Sequence, residues 1–201
     1  MHDSGHDKAS LRKTYLARRK ALSRDTVNAW SAQIAGTVMA QFPVWQQSFP
    51  EPVRVHCFLP ITRQNEVDTW PVIRWLWQQP GAEVIVPVTD FGGGSLAHVR
   101  LQPDTPLITN AYGIQEPDLT HHKPVSPDAL DVVLVPLLVA DQQGQRVGYG
   151  GGFYDRFLAQ CRPDCLKTGL SFFDPVERIA DSFAGDIPLD SCIIRSHISY
   201  F

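Results

Sequence analysis

The sequence predicts an α/β protein, one domain spanning residues 1–201 with a mostly parallel central sheet. Three observations carry this expectation. Val53–Leu59, Val132–Val139 and Leu166–Phe172 read as strands, and the second is apolar on both faces, as in a central parallel strand covered by helices. Segments of helical period separate these runs. The glycine-rich stretch Arg146–Arg156, RVGYGGGFYDR, follows the strongest apolar run and precedes a further helical pattern, giving the order strand, loop, helix.

In chain order, residues 1–7 are polar and carry no apolar leader. A helix is expected over about 8–22, with Leu11, Tyr15 and Leu22 on one side and the stem of Arg18 alongside them. Lys8, Arg12 and Arg19 follow a neighbouring rhythm of three or four residues. This is either a solvated basic face or a set of cations converging on an anion. Ser23 fits the cap of a second helix with Val27, Trp30, Ile34 and Val38 on its inner stripe; the pattern is expected to end near Pro43, with 46–52 a surface connection. After the Val53–Leu59 strand comes ITRQNEVDTW, a polar loop before a helix containing Val72, Ile73, Leu76 and Trp77. Pro80-Gly81 closes that helix, and strands at Glu83–Val88 and Leu96–Leu101 flank a glycine tip at Phe91–Ser95. Residues 103–128 read as loop, and the adjacent His121 and His122 do not make a metal site. Asp174–Ala184 reads as an exposed return before a final short strand at Ile193–Ile194.

Hydrophobic residues make up 43% and charged residues 19%, and the formal net charge of −3 argues against a general affinity for DNA or RNA. The positive charge is unevenly spread. Lys8, Arg12, Lys13, Arg18, Arg19, Lys20 and Arg24 are seven of the 18 Lys and Arg residues. The four cysteines form no C-x-x-C pair, so neither a zinc signature nor a disulfide framework is expected. No apolar stretch is long enough to span a bilayer, and the expected location is cytoplasmic.

Chemistry concentrates in the glycine motif. Glycines let backbone N–H groups approach an anion closely; the alternative reading is a tight turn with no ligand. Arg146 and Arg156 could face phosphate, and Asp155 could hold a cation or meet backbone N–H groups at a helix start. In the polar loop, Glu66 could accept N–H groups of a heterocycle, while Asp68 or Thr69 caps the next helix. The order G-x-G-G-G, without an acidic residue at the required distance, is not a dinucleotide fingerprint.

The segments KASLRKTYLARRKALS (8–23), NEVDT (65–69), AYGIQEP (111–117), VLVPLLVAD (133–141), GQRVGYGGGFYDRFL (144–158) and DIPLD (186–190) together resemble the 5-formyltetrahydrofolate cyclo-ligase, or 5,10-methenyltetrahydrofolate synthetase, family. The resemblance implies a three-layer α/β/α domain similar to ribose-phosphate isomerases and coenzyme A transferases. It implies closure of 5-formyltetrahydrofolate, with or without a polyglutamate tail, to 5,10-methenyltetrahydrofolate. ATP and magnesium are used, and ADP and phosphate are released. By resemblance Lys8 and Arg12 reach the ATP phosphates, and Arg146, Gly148, Tyr149, Gly150, Gly151, Gly152, Phe153, Tyr154 and Asp155 frame the nucleotide. Arg146, Tyr154 and Asp155 serve the transfer, Asp155 and Asp186 hold magnesium, and Glu66, Tyr112 and Tyr154 contact folate. The chain departs from the family at Phe153, where many relatives have tyrosine, and at Gly185, where many have histidine. A monomer with neither nucleic-acid nor membrane partners is expected. Alternative readings are a small-molecule kinase of the same fold and a non-catalytic folate- or nucleotide-binding protein. Glu66 together with Tyr112 separates the first of these from the cyclo-ligase.

Overall fold

The computed structural model describes residues 7–110, 113–121 and 123–201; residues 1–6, Ala111, Tyr112 and His122 lie outside them. The basic segment folds as α1 (Lys8–Lys20), capped by the Asp7 carboxylate, which accepts from the Ser10 N–H at 2.7 Å. Ser23 caps α2 (Arg24–Ser48), accepting from the Thr26 N–H at 3.1 Å. This helix does not end at Pro43. Pro43 removes one hydrogen bond, but Phe42 and Trp45 on either side are both buried, and the two rings meet edge-on at 6.4 Å. Packing two large aromatics outweighs the loss at one proline, so the helix runs through Ser48, three residues into the expected surface connection at 46–52.

The chain continues through β1 (Val53–His56), α3 (Trp70–Leu76), β2 (Ala82–Asp90) and β3 (Ser95–Arg100). Inside the loop-rich stretch lies a small hairpin of β4 (Leu107–Thr109) and β5 (Gln115–Pro117). β6 (Val132–Pro136) ends earlier than the apolar run suggested, because Val139–Ala140 forms a separate strand, β7, pairing with β8 (Arg146–Val147). Then come α4 (Phe153–Leu158), β9 (Leu166–Ser171), β10 (Ser191–Ile194) and an unexpected last strand, β11 (His197–Tyr200), which folds back on β10.

Seven strands form one sheet in the order β11-β10-β9-β6-β1-β2-β3. Every pairing from β10 to β2 is parallel, and only the two edge strands run antiparallel. Alternate residues serve opposite faces. Val53, Val55, Val84, Val86, Val132 and Leu134 join the core under α1, α2 and α3. Ile85, Val133, Val135, Cys192 and Ile194 face the other way, onto Phe157 and Leu158 of α4. Helices therefore cover both faces, as a parallel sheet requires.

After β1 the chain moves outward to β2 and β3, then returns past β1 to place β6 on its other side. The β1/β6 boundary is thus the point where the strand order reverses, and loops leaving the carboxyl ends of these two strands open a crevice between them. The Glu66 loop leaves β1 and the glycine-rich loop follows β6 through the β7–β8 hairpin. Asp141 fixes that hairpin. Fully buried, it accepts from the N–H groups of Gln143, Gln145 and Ile179, each at 2.9 Å. Ile179 is itself fully buried, so the segment read as an exposed return is pinned at its middle.

If α2 is held beyond Pro43 by its aromatics, Trp45→Ala will lower unfolding free energy by about 3 kcal/mol or more, measured by urea denaturation. A helix ending at Pro43 would leave that substitution near neutral.

Candidate active site

The basic face of α1 docks on the glycine-rich loop. Arg12 Nε donates to the Gly148 carbonyl at 2.9 Å, and Lys8 Nζ pairs with Asp186. Arg19, only 4% exposed, donates through Nη2 to the Tyr149 hydroxyl. A solvated basic face is therefore not what forms. The loop must bend closely under Arg12. Gly150 has φ +96°, and a Cβ there would stand 3.2 Å from the guanidinium carbon, so this position admits glycine alone without strain. α4 is only six residues long, so the anion-attracting capacity of this loop rests on its own N–H groups and the surrounding cations more than on a helix dipole.

Arg146 projects into the same region. Its Nη2 donates to Asp155 Oδ1 at 2.7 Å, and Nη1 donates to the Ile187 carbonyl. Burial lowers its pKa below the ordinary arginine value, while Asp155 and then Asp186 oppose that shift. Asp155 Oδ1 also accepts from the Ile187 N–H at 3.2 Å, and Asp186 Oδ2 accepts from the Phe183 N–H at 2.8 Å. Asp155 and Asp186 thus flank one guanidinium. Their other oxygens, Asp155 Oδ2 and Asp186 Oδ1, carry no hydrogen bond among the described residues. No group of three or more metal-ligating side chains occurs among the described residues, but a hard cation completed by phosphate and water needs only one or two carboxylates. The two free oxygens fit that requirement.

Glu66 sits on the other side of the crevice, buried at 6% exposure. Its Oε2 accepts from the Ile61 N–H at 2.7 Å and its Oε1 from the Tyr149 hydroxyl at 2.7 Å. Burial raises its pKa above the usual carboxylate value; the Ile61 N–H, the Tyr149 hydroxyl and the Arg19 charge pull it back. Tyr149 was expected at the nucleotide, yet its hydroxyl crosses to Glu66, and burial followed by the Glu66 charge raises the phenol above its ordinary range. Thr69 stands at the N-cap of α3 but makes no side-chain cap bond, its hydroxyl donating instead to the Phe58 carbonyl at 2.5 Å; Asp68, one residue earlier, accepts from the Trp70 N–H at 3.0 Å.

Tyr154 turns its hydroxyl inward, where it is buried without a hydrogen-bond partner among the described residues. Burial, then the charge of Glu66, raises its pKa well above the ordinary tyrosine value, so the phenol is a donor waiting for an acceptor. Phe153 lies outside it, edge-on to Phe91 at 6.1 Å with the Arg156 guanidinium 5.2 Å from its ring centre. Arg156 does not face the Arg146 cluster. It donates to the carbonyls of Gly94 at 2.8 Å and Gly151 at 2.9 Å, tying the β2–β3 tip to the glycine-rich loop. Gly148, Gly151 and Gly152 complete that loop, and Tyr112 lies outside the described residues.

Sequence reasoning missed His56 and His98. Both are buried, and His56 Nε2 lies 3.2 Å from His98 Nδ1, beneath the rings of Tyr154 and Phe157. They meet across β2, so no spacing in the sequence could announce them. Burial lowers both imidazoles, His98 to about 4.

A sequence profile described as the 5-formyltetrahydrofolate cyclo-ligase family matches residues 4–171. The chain belongs to that family. Among cyclo-ligases, it is 34% identical over 143 residues to the Escherichia coli K12 5-formyltetrahydrofolate cyclo-ligase, covering 70% of this chain and 74% of that one. It is 40% identical over 110 residues to the Haemophilus influenzae enzyme of the same name, covering 54% of this chain and 58% of its relative. The solved structure of Aquifex aeolicus 5,10-methenyltetrahydrofolate synthetase superposes with a TM-score of 0.75 at 28% identity, over 96% of this chain and 92% of that one. The Mycoplasma pneumoniae synthetase shares the fold, with a TM-score of 0.67 at 21% identity over 95% of this chain and 99% of that one. Cyclo-ligase membership makes this chain an enzyme, a ligase acting on 5-formyltetrahydrofolate. No helix among the described residues is long and apolar enough to cross a membrane.

The histidine pair has a measurable signature. Between about pH 4 and pH 6.5 the unfolded chain takes up a proton that folded His98 refuses, so the stability held above that window is lost as pH falls through it. Going from about pH 7.5 to about pH 5, His98 alone removes about 2 kcal/mol. Urea titrations should show this loss, and His98→Gln should reduce it by that amount; an equal loss in the variant contradicts the assignment.

Proposed function

We propose that the crevice between the β1 and β6 loops aligns 5-formyltetrahydrofolate with the γ-phosphate of ATP and closes the folate ring through a phosphorylated formyl group. The observation that carries this reading is the convergence of Lys8, Arg12, Arg146 and the glycine-rich loop on one side with buried Glu66 on the other, bridged by Tyr149.

A formamide oxygen is a weak nucleophile, and as hydroxide it would be a poor leaving group. Phosphorylation makes that oxygen part of a good leaving group, inorganic phosphate. In the first step the formyl oxygen attacks the γ-phosphorus, the bond to the β-phosphate oxygen breaks, and ADP departs. In the second, N10 attacks the activated formyl carbon, phosphate leaves, and loss of the N10 proton yields the methenyl bridge. Protein groups need only position the partners and offset phosphoryl charge. Lys8 and Arg12 would bind ATP phosphates, with Lys8 exchanging its Asp186 contact for phosphate. The N–H groups of residues 148–152 would line the same path. Arg146, braced by Asp155, would face the transferring group. Glu66 would accept the N–H donors of the pteridine, and the unpartnered Tyr154 hydroxyl would donate to the folate. Magnesium would sit on Asp155 and Asp186 and supply neutralising charge to the phosphates. The enzyme would act as a cytoplasmic monomer.

The reading requires methenyl product, followed by absorbance, and ADP, followed separately, to form in equal amounts. Omission of either substrate should abolish both. ADP without methenyl product would contradict it. The two sides of the crevice should also separate kinetically. Arg12→Ala should raise the KM for ATP about tenfold with little effect on that for folate, and Glu66→Ala should do the reverse, each loss corresponding to one charge-assisted contact. Indifference of ATP kinetics to the first, or of folate kinetics to the second, would reject that contact.

A further inference from the structure

Arg19, Tyr149 and Glu66 form a buried relay whose parts do not match their apparent tasks. Arg19 is a buried cation that meets no carboxylate directly among the described residues; its Nη2 reaches the Tyr149 hydroxyl, and its Nε is likewise buried there without a hydrogen-bond partner. The Tyr149 ring also lies over the guanidinium, 5.3 Å from it. One phenolic oxygen thus accepts from Arg19 and donates to Glu66. Tyr149 as a residue is nonetheless 43% exposed. A side chain held by its polar tip, with its apolar body in solvent, gives up little buried apolar area when it swings out.

We infer that Tyr149 is a placeholder: its hydroxyl occupies the position that an adjacent N–H and C=O of the substrate take, and Arg19 is a further substrate-contacting residue. This rests on the folate reading of Glu66. The pteridine lactam presents an N–H beside a carbonyl. The N–H replaces the Tyr149 hydroxyl as donor to Glu66 Oε1, and the carbonyl accepts from Arg19, giving the orphaned Nε–H a partner. Leaving a buried donor unpaired is costly, and contact with the substrate carbonyl relieves that cost. Displacement of Tyr149 also frees residue 149 of the glycine-rich loop, so folate entry loosens the loop that lines the nucleotide path.

The test is equilibrium binding of 5-formyltetrahydrofolate by calorimetry, without nucleotide, to the full chain and two variants. Tyr149→Phe removes the competing hydroxyl but keeps the ring over Arg19, and should tighten folate binding roughly five- to tenfold. Arg19→Lys keeps the charge but loses the planar fork, and should weaken folate binding about tenfold. Unchanged or weaker folate binding in Tyr149→Phe would overturn the placeholder, and unchanged binding in Arg19→Lys would overturn the contact. Failure of the wild-type chain to bind folate would overturn the folate reading of Glu66 and this inference with it. Wild-type binding with unresponsive variants would overturn this inference alone.

Discussion

The site depends on the docking of α1 against the glycine-rich loop. Three cations on one helical face each meet a different part of the opposing chain: Lys8 meets Asp186, Arg12 the Gly148 carbonyl, and Arg19 the Tyr149 hydroxyl. None of these contacts is local in sequence. Each needs the loop to pass close beneath the helix, which is why Gly150 adopts a conformation that a side chain would both strain and crowd against Arg12. Burial of Arg19 and partial burial of Lys8 and Arg12 are tolerated because each finds an acceptor, and those acceptors hold the loop in place.

The sheet supplies what the loop cannot. A reversal of strand order at β1 and β6 brings two loops from distant segments to the same edge, one with Glu66 and one with the glycines. Asp141 steadies the hairpin beneath the second loop, and Arg156 ties that loop outward to the β2–β3 tip. The buried histidine pair beneath Tyr154 and Phe157 links β1, β3 and α4 in one neutral cluster. Two carboxylates, Asp155 and Asp186, converge with the cations from opposite ends of the same stretch, and Arg146 keeps them from facing each other uncompensated.

Much of this was legible in the sequence because it follows from local rules. The unbroken apolar run at β6, the cap at Ser23, and the strand–loop–helix order at 146–156 each carry their own physical signature. The rest depended on packing at a distance. Pro43 reads as a helix end until Phe42 and Trp45 are seen buried together, and Val132–Val139 reads as one strand until Val139–Ala140 finds its own partner in β8. At the site, the rhythm of Lys8, Arg12 and Arg19 was visible, but not the acceptors it would meet. Tyr149 was placed with the nucleotide because it belongs to the glycine loop, whereas its hydroxyl answers to a carboxylate 83 positions earlier. His56 and His98 could not be paired without the sheet order, since the strand between them carries no mark of their contact.

The central claim is that the crevice activates the formyl oxygen by phosphorylation before the ring closes. It is tested most directly by following that oxygen in a single turnover. With 5-formyltetrahydrofolate labelled with oxygen-18 in the formyl group, the account predicts that the label appears in the released inorganic phosphate in amounts equal to the methenyl product. Unlabelled phosphate, with the label recovered in water, would contradict it, because the formyl oxygen would then have left without ever being bound to phosphorus.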